Sequence, residues 1–271
     1  APLQGNFEGV GVRFQILNDT LMVVQAISGG PSEKVGVFAG DQVIKIDDEL
    51  VAGVGLQNSG VRKRLLGKKG TKVVMTVQRK GESGLIDFEI TRDKIPIHSV
   101  DAAYMIDDKI GYIKVNTFAR TTLDEFQKAL EKLDFLGMES LILDLQNNGG
   151  GYLDQAFKLA DQFLSKKKMI VYTEGRAYKK KDYYSTSSGD FEKGKLVVLV
   201  NEGTASASEI VSGAVQDWDR GAVVGRRTFG KGLVQEQYDM ADRSALRLTV
   251  ARYYIPSGRS IQKPYDDKDA Y

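Results

Sequence analysis

The chain has 271 residues, of which 42% are hydrophobic and 27% charged, a composition typical of folded globular proteins and not of disordered chains. Its net charge of +2 is too small to indicate a nucleic-acid partner. No apolar run approaches the ~20 residues that a membrane-spanning helix requires. The absence of cysteine excludes disulfides, a thiol nucleophile and a cysteine-ligated zinc site.

Residues 1–95 alternate apolar and polar side chains in the manner of β-strands. Strand patterns cover 9–14, 20–27, 41–51, 71–79 and 85–92, and helix patterns cover 31–36 and 57–66. The stretches FEGVGVRF and GGPSEKVGVFAGDQVIKIDDELVAG resemble a PDZ domain, of the circularly permuted kind found in bacterial proteases. Such domains bind a peptide's C-terminal carboxylate at a glycine-containing loop, and the peptide adds as a strand to a sheet edge.

The resemblance assigns the peptide-binding loop to five residues near the start of the chain. They are Phe7, Gly9, Val10, Gly11 and Val12. The two glycines permit a close approach of the peptide backbone. Without the surrounding pattern, the same glycines would indicate an ordinary tight turn.

The segment RDKIPIHSV, residues 92–100, has the proline and polar residues expected between two domains. We place the boundary near residue 96, which gives a PDZ domain over 1–95 and a second domain over 96–271. His98, the only histidine, lies in this segment, and we expect it to be a solvated linker residue. A serine nucleophile in this chain would then need a base other than histidine, and lysine is the main alternative.

Strand and helix patterns alternate after the boundary. Strands are predicted at 110–118, 140–146 and 195–201 and in AVVG and LRLTVARYYI, with helices at 122–136, 153–164 and after 201. Thr122 and Glu125 match a capping box at the start of the first helix. The fold class predicted is mixed α/β: a β-sheet covered by helices, preceded by a PDZ domain of strands and two helices.

Two polar loops follow predicted buried strands, at the carboxyl ends where functional loops gather in α/β sheets. One is DLQNNGGGY at 144–152 and the other is NEGTASASE at 201–209. The glycines Gly149–Gly151 do not form a phosphate-binding loop, because no Lys-Ser/Thr pair follows them. The GKG stretch around Lys231 does not match such a loop either, because a glycine follows the lysine where serine or threonine is needed.

Ser206 admits two interpretations. With Glu209 three residues on, it matches a capping box, and the local sequence favours this account. A serine at a helix N-terminus also lies beside free backbone N–H groups, which would stabilise a developing oxyanion. Ser208 and Thr204 are neighbouring hydroxyls that the local sequence does not separate from Ser206.

A serine nucleophile needs a base, and Lys231 in GRRTFGKGLVQ is the best candidate. Lysine acts as a base only when it is neutral, although its ordinary pKa is ~10.4. In an extended segment Lys231 and Gln235 would point to one face, which would let Gln235 hold the lysine towards Ser206. Taken alone, Lys231 fits an exposed lysine in a flexible turn better.

The motifs NEGTASASEI, TFGKGLVQ and YYIPSGRSIQ together resemble the carboxyl-terminal processing peptidases, or tail-specific proteases, and the resemblance covers nearly the whole chain. It implies that Ser206 is the nucleophile, Lys231 the general base and Gln235 the orienting residue. It also implies an oxyanion hole built from the N–H groups of Ala207 and of Gly150 or Gly151.

Two positions depart from the family pattern. Gly149 stands where a proline is usual. This residue gives more backbone freedom to the turn formed by Gly149–Gly151, called the glycine turn below. Gln146 stands where an arginine is usual, so the ion pair of that arginine is expected to be missing.

The resemblance implies a serine endopeptidase that binds free, apolar protein C-termini through its PDZ domain and needs no metal or cofactor. Since its lysine base must be neutral, we expect activity to rise with pH. Export to the periplasm or cell envelope is implied, and the opening residues carry no signal-peptide pattern, so we expect a mature or trimmed chain. The sequence is compatible with a homo-oligomer but does not determine the oligomeric state. The alternatives are a PDZ adaptor with an inactive protease fold, and a protease that its PDZ ligand switches on.

Overall fold

The computed structural model describes residues 6–96, 98–187, 189–240, 242 and 244–264. The chain divides between residues 97 and 98 into two compact units. The first unit contains β1 (Asn6–Gly9), β2 (Val12–Leu17), β3 (Thr20–Ala26), α1 (Pro31–Lys34), β4 (Gln42–Ile46), β5 (Glu49–Leu50), α2 (Asn58–Leu65), β6 (Lys72–Gln78), β7 (Leu85–Thr91) and β8 (Asp93–Pro96).

The first unit is built on an antiparallel sheet with the strand order β2-β3-β4-β6-β7, in which β5 pairs with β4. A separate two-stranded ladder joins β1 to β8. The segment 41–51 forms two strands where the sequence predicted one, because Asp47 and Asp48 both take positive φ (48° and 62°) and turn the chain. Two consecutive residues of this kind form the tight turn that suits a two-residue hairpin.

Asp41, in the most specific block of the PDZ pattern, is buried in the first unit. Its two carboxylate oxygens accept hydrogen bonds from Arg79 Nε and Nη2 at 2.7 and 2.8 Å. Asp41 Oδ2 also accepts the N–H of Phe38 at 2.9 Å. A buried carboxylate that is paired and hydrogen-bonded in this way ties the turn before β4 to the end of β6.

The described part of the second unit contains twelve elements. They are β9 (Val100–Met105), β10 (Ile110–Val115), α3 (Thr122–Phe135), β11 (Ser140–Asp144), α4 (Leu153–Asp161), β12 (Met169–Glu174), β13 (Lys181–Tyr184), β14 (Lys195–Val200), α5 (Ala207–Asp217), β15 (Ala222–Gly225), β16 (Leu233–Asp239) and β17 (Ala245–Tyr254).

The strands of the second unit form two sheets. The first has the order β15-β14-β11-β10-β9, in which β10, β11, β14 and β15 run parallel and β9 is antiparallel to β10. The second is antiparallel, with the order β13-β12-β17-β16. The predicted mixed α/β fold is confirmed, but the sequence did not separate the second sheet from the first. An apolar pattern indicates a strand without indicating its partner.

The helices α3, α4 and α5 cover the sheets of the second unit. The helix α3 packs on β9 and β10, while α5 packs on β12 and β15, and α4 contacts both helices. Phe126 of α3 meets Phe163 edge-to-face, with ring centroids 5.7 Å apart, inside the largest apolar core of the described residues. No helix in the described ranges is long and apolar enough to cross a membrane.

The predicted capping box of α3 is wrong. The helix begins at Thr122, so that Thr121 is its N-cap residue. Glu125 Oε2 instead accepts the backbone N–H groups of Ser99 and Val100 at 2.6 and 3.0 Å. Thr122 Oγ1 donates to Ser99 Oγ at 2.7 Å. Both side chains therefore hold α3 against the start of the second unit, a long-range task that the local pattern did not indicate.

Candidate active site

The two polar loops meet at one edge of the parallel sheet because β11 and β14 lie side by side. Asn147 N–H donates to Asn201 Oδ1 at 2.8 Å, and Asn201 Nδ2 donates back to Asn147 Oδ1 at 3.0 Å. Thr204 Oγ1 donates to the backbone oxygen of Leu145 at 2.9 Å. These bonds join the two loops into one rigid platform.

Ser206 is the N-cap residue of α5 and has a strained backbone, with φ 57° and ψ −113°. A positive φ at a residue with a side chain costs on the order of 1–3 kcal/mol, and such residues cluster at functional sites. The side chain is half-buried. The strained backbone holds a hydroxyl on a sharp turn between the loop that follows β14 and the start of α5, a setting also used by the nucleophile turn of α/β-hydrolases.

Burial separates the three hydroxyls that the local sequence left equivalent. Thr204 and Ser208 are both fully buried. Thr204 Oγ1 donates to Leu145 O, and Ser208 Oγ donates to the backbone oxygen of Asn148 at 3.0 Å. Ser206 is the one of the three that remains partly open to solvent.

Glu209 is a hydrogen-bond centre between Ser206 and Lys231. Its side chain is only 5% exposed. Oε2 accepts the backbone N–H groups of Ser206 and Lys231, both at 2.8 Å. Oε1 accepts Gly230 N–H at 2.6 Å and Thr228 Oγ1 at 2.7 Å. The sequence predicted the bond to Ser206 N–H as part of a capping box, but not the three bonds to residues 228–231.

The side chain of Lys231 is exposed and makes no hydrogen bond or ion pair within the described part of the chain. Its backbone is held in place, because Lys263 N–H donates to Gly230 O at 2.9 Å and Gly232 N–H donates to Gln262 Oε1 at 3.1 Å. Gln235 is exposed on β16. The structure therefore brings the backbones of Ser206 and Lys231 to one carboxylate, while Lys231 Nζ contacts neither Ser206 Oγ nor Gln235 in this conformation.

The glycine turn lies directly against the serine. A Cβ at Gly150 would stand 2.9 Å from Ser206 Cβ and 3.0 Å from Ala207 N, and the φ of Gly150 is +95°. Gly150 N–H already donates to Asn148 Oδ1 at 2.9 Å. By contrast, the N–H groups of Ala207 and Gly151 donate to no acceptor among the residues that the structure describes.

Two residues that the sequence analysis did not single out support this turn. Asn148 is fully buried, and its Nδ2 donates to Val115 O at 2.8 Å. Lys114 Nζ lies 3.0 Å from Asp144 Oδ1 and donates to Gln146 O at 2.6 Å. Thus Lys114 of the neighbouring strand supplies Asp144 with a cation, although position 146 has no arginine. The pairing was not predictable, because it joins residues far apart in the sequence.

Asp144 has a second partner, the hydroxyl of Tyr112, which donates to its Oδ2 at 2.6 Å. Burial and this bond to the carboxylate raise the pKa of the Tyr112 hydroxyl. The tyrosine therefore stays protonated as a donor at any physiological pH.

No group of three or more acidic, histidine or cysteine side chains within the described ranges is placed to hold a metal ion.

The predicted peptide-binding residues fall into two groups in the first unit. Phe7 and Gly9 lie in the β1–β8 ladder, whereas Val10, Gly11 and Val12 lead into β2, the edge strand of the larger sheet. The carbonyls of Val10 and Gly11 are bound within the first unit. Val10 O accepts the hydroxyl of Ser32 at 2.6 Å, and Gly11 O accepts the N–H of Ile27 at 2.9 Å. The N–H groups of Val10 and Gly11 have no acceptor in the described part of the molecule.

Comparison with known proteins agrees with both parts of the fold. Residues 9–91 match the model of the PDZ domain, and residues 109–269 match the model of peptidase family S41. A carboxy-terminal-processing protease of Bartonella bacilliformis is 38% identical over 264 residues, covering 96% of this chain and 60% of that protein. A Staphylococcus aureus protein named "Probable CtpA-like serine protease" is 37% identical, with coverages of 96% and 51%.

A solved structure, the photosystem II D1 C-terminal processing protease, is similar with a TM-score of 0.58 and 32% identity, covering 96% of this chain and 71% of that one. The chain spans between half and three fifths of the length of the curated relatives described above.

The strain at Ser206 predicts opposite effects of glycine at two serines of one helix. Ser206→Gly should be more stable than Ser206→Ala by about 1 kcal/mol, because glycine adopts a positive φ without strain. At Ser212, inside α5, glycine should be less stable than alanine by about 1 kcal/mol. Urea denaturation of the four variants measures both differences. Equal signs at the two sites would contradict the strain.

The buried Glu209 carboxylate predicts a large cost for a neutral amide. Glu209→Gln places an NH2 group against backbone donors and should lower the free energy of unfolding by about 2–3 kcal/mol. Glu202→Gln, at an exposed carboxylate paired with Arg226, should change it by less than about 0.5 kcal/mol. Denaturant titration compares the two variants, and similar losses would show that the four bonds at Glu209 contribute little.

Proposed function

The chain belongs to peptidase family S41 and carries a PDZ domain, and on that premise we propose that it is a serine endopeptidase acting through Ser206 and Lys231. The observation that supports this assignment is the convergence on Glu209. One carboxylate oxygen accepts the N–H groups of both residues at 2.8 Å. The strained, partly open Ser206 beside the glycine turn supplies the second half of the argument.

In the proposed mechanism, neutral Lys231 takes the proton of Ser206 Oγ as this oxygen attacks the scissile carbonyl. The N–H groups of Ala207 and of the glycine turn stabilise the tetrahedral oxyanion, at about 3–4 kcal/mol for each donor. Lys231 then protonates the leaving amine, and water hydrolyses the acyl-enzyme with the same base. Because the base must be neutral, activity rises with pH. No step requires a metal or a cofactor.

The oxyanion donor within the glycine turn is best assigned to Gly151. Gly150 and Gly151 were both candidates, but Gly150 N–H already donates to Asn148 Oδ1. Gly150 has a different task in this proposal. It lies where any side chain would crowd Ser206 and Ala207, and so it keeps the space for the substrate carbonyl open. Gln235 orients Lys231 once the lysine turns towards the serine.

The PDZ domain selects substrates that have a free, apolar C-terminus. The N–H groups of Val10 and Gly11, which have no acceptor among the described residues, suit a carboxylate. The adjacent edge strand β2 suits a peptide added as a strand. The two-domain division, a PDZ domain and a peptidase core, follows from this assignment. We also propose that the enzyme is in the periplasm or cell envelope, which its family membership supports and with which its lack of cysteine is compatible. Cell fractionation tests this location.

One observation favours a ligand-gated form of the same protease as the second candidate. Lys231 Nζ has no partner in the described part of the structure, so that the base is not yet engaged with Ser206. A tail bound to the PDZ domain would then be needed to bring the dyad together. An adaptor without activity is disfavoured because Ser206, Lys231 and Gln235 are all present.

The dyad is tested with an unstructured protein that ends in an apolar tail. Wild type should cleave it, while Ser206→Ala and Lys231→Ala should each lose on the order of 10³-fold or more in kcat. Ser212→Ala is the control for a lost serine hydroxyl in the same helix. Amidating the substrate C-terminus should weaken cleavage by wild type because the PDZ loop loses its carboxylate. Full activity of Ser206→Ala rejects the mechanism, and tail binding without cleavage favours the adaptor.

The glycine turn offers a matched pair of substitutions. Gly150→Ala should lower kcat by about 100-fold, because its Cβ would displace the turn from Ala207 N. Gly149→Ala meets no atom within 4 Å and should keep nearly normal activity. Steady-state kinetics compare the two, with tail binding as the measure of an intact PDZ domain. Equal kcat values for both variants would contradict the placement of the oxyanion hole.

A further inference from the structure

Ser208 lies two residues after Ser206 and is fully buried at the start of α5. Its Oγ donates across to the other functional loop, to the backbone oxygen of Asn148, at 3.0 Å. The same oxygen accepts the N–H of Ala205 at 2.9 Å. The carbonyl of Asn148, just before the glycine turn, therefore accepts hydrogen bonds from one residue before Ser206 in the sequence and one residue after it.

Asn148 passes this anchoring on to the glycine turn. Its side chain is fully buried, with Oδ1 accepting Gly150 N–H at 2.9 Å and Nδ2 donating to Val115 O at 2.8 Å. Each polar atom of the Asn148 side chain thus has a partner. Its position determines where Gly150 lies, and Gly150 is the residue packed against Ser206 and Ala207.

The hydroxyl of Ser208 therefore links the two segments that carry the halves of the proposed oxyanion hole. One half is the N–H of Ala207, which is the residue before Ser208 and the first residue of α5. The other half is the glycine turn that Asn148 holds. A buried serine does not need such a partner: Ser212, one turn further along α5, turns its Oγ to its own helix, 3.4 Å from Glu209 O.

We propose that Ser208 is a positioning residue that sets the separation of the two oxyanion donors, an inference that rests on the proposed function. Removing its hydroxyl leaves Asn148 O bound by Ala205 N–H alone, and no bond then joins this carbonyl to α5. The glycine turn then gains freedom relative to Ala207. Because misplacement of transition-state donors lowers the rate without weakening substrate binding, the effect should fall on kcat.

Ser208→Ala and Ser212→Ala form a matched pair of lost hydroxyls in the same helix. We expect Ser208→Ala to lower kcat about 10-fold with KM changed less than about 2-fold, and Ser212→Ala to change neither. The affinity for a peptide boronic acid, whose tetrahedral adduct on Ser206 resembles the oxyanion state, should fall by a similar factor in Ser208→Ala. Binding of uncleaved substrate should be equal in Ser206→Ala and the Ser206→Ala/Ser208→Ala double variant.

The outcomes separate this inference from the proposed function. If the boronic acid does not add to Ser206 in wild type, detected by mass spectrometry, the proposed function fails. If it adds and Ser208→Ala keeps the wild-type kcat and boronic acid affinity, the positioning role is overturned. Equal losses of activity and stability in both serine variants also overturn it. Should Ser208→Ala not fold, Ser208→Cys is measured in the same way, and failure of both to fold would assign the hydroxyl to stability alone.

Discussion

The arrangement of the candidate active site depends on one buried carboxylate, that of Glu209. Residues 206 and 231 lie on separate segments, one at the start of α5 and the other just before β16. The carboxylate accepts four hydrogen bonds from these two segments. Charged acceptors in a buried setting bind more strongly than neutral ones, and losing one partner is costly. A single side chain thereby fixes the backbone of both proposed catalytic residues.

The strain at Ser206 persists because its neighbours are held on every side. Ala205 N–H is bound to Asn148 O, and Ser206 N–H is bound to Glu209. Asn147 and Asn201 join the two loops beneath them. A strained residue survives only where the surrounding structure determines its conformation, and here the paired ends of two parallel strands provide that structure. The serine is therefore preorganised before any substrate arrives.

The lysine is organised differently from the serine. Its backbone is as firmly held as that of Ser206, but its side chain is exposed and without a partner in the described residues. In the proposed mechanism, the step that remains is a rotation of this side chain towards Ser206. The proposed oxyanion donors are thus held by the hydrogen-bonded loops, while the proposed base is on a side chain that is free to rotate. This arrangement also leaves room for control by whatever turns the lysine inward.

Motif residues and element patterns could be predicted from the sequence because they are local: the PDZ pattern around Asp41, the α/β alternation, and the paired loops after β11 and β14. The family resemblance also singled out Ser206 and Lys231. Which of the three hydroxyls is open to solvent depends on the three-dimensional packing, because Thr204 and Ser208 are buried and Ser206 is only partly buried. The same holds for three other contacts. Glu209 binds residues 228–231, Glu125 binds the backbone of residues 99–100 and does not cap α3, and Lys114 pairs with Asp144. Each of these depends on contacts between residues distant in the chain, which no local pattern encodes.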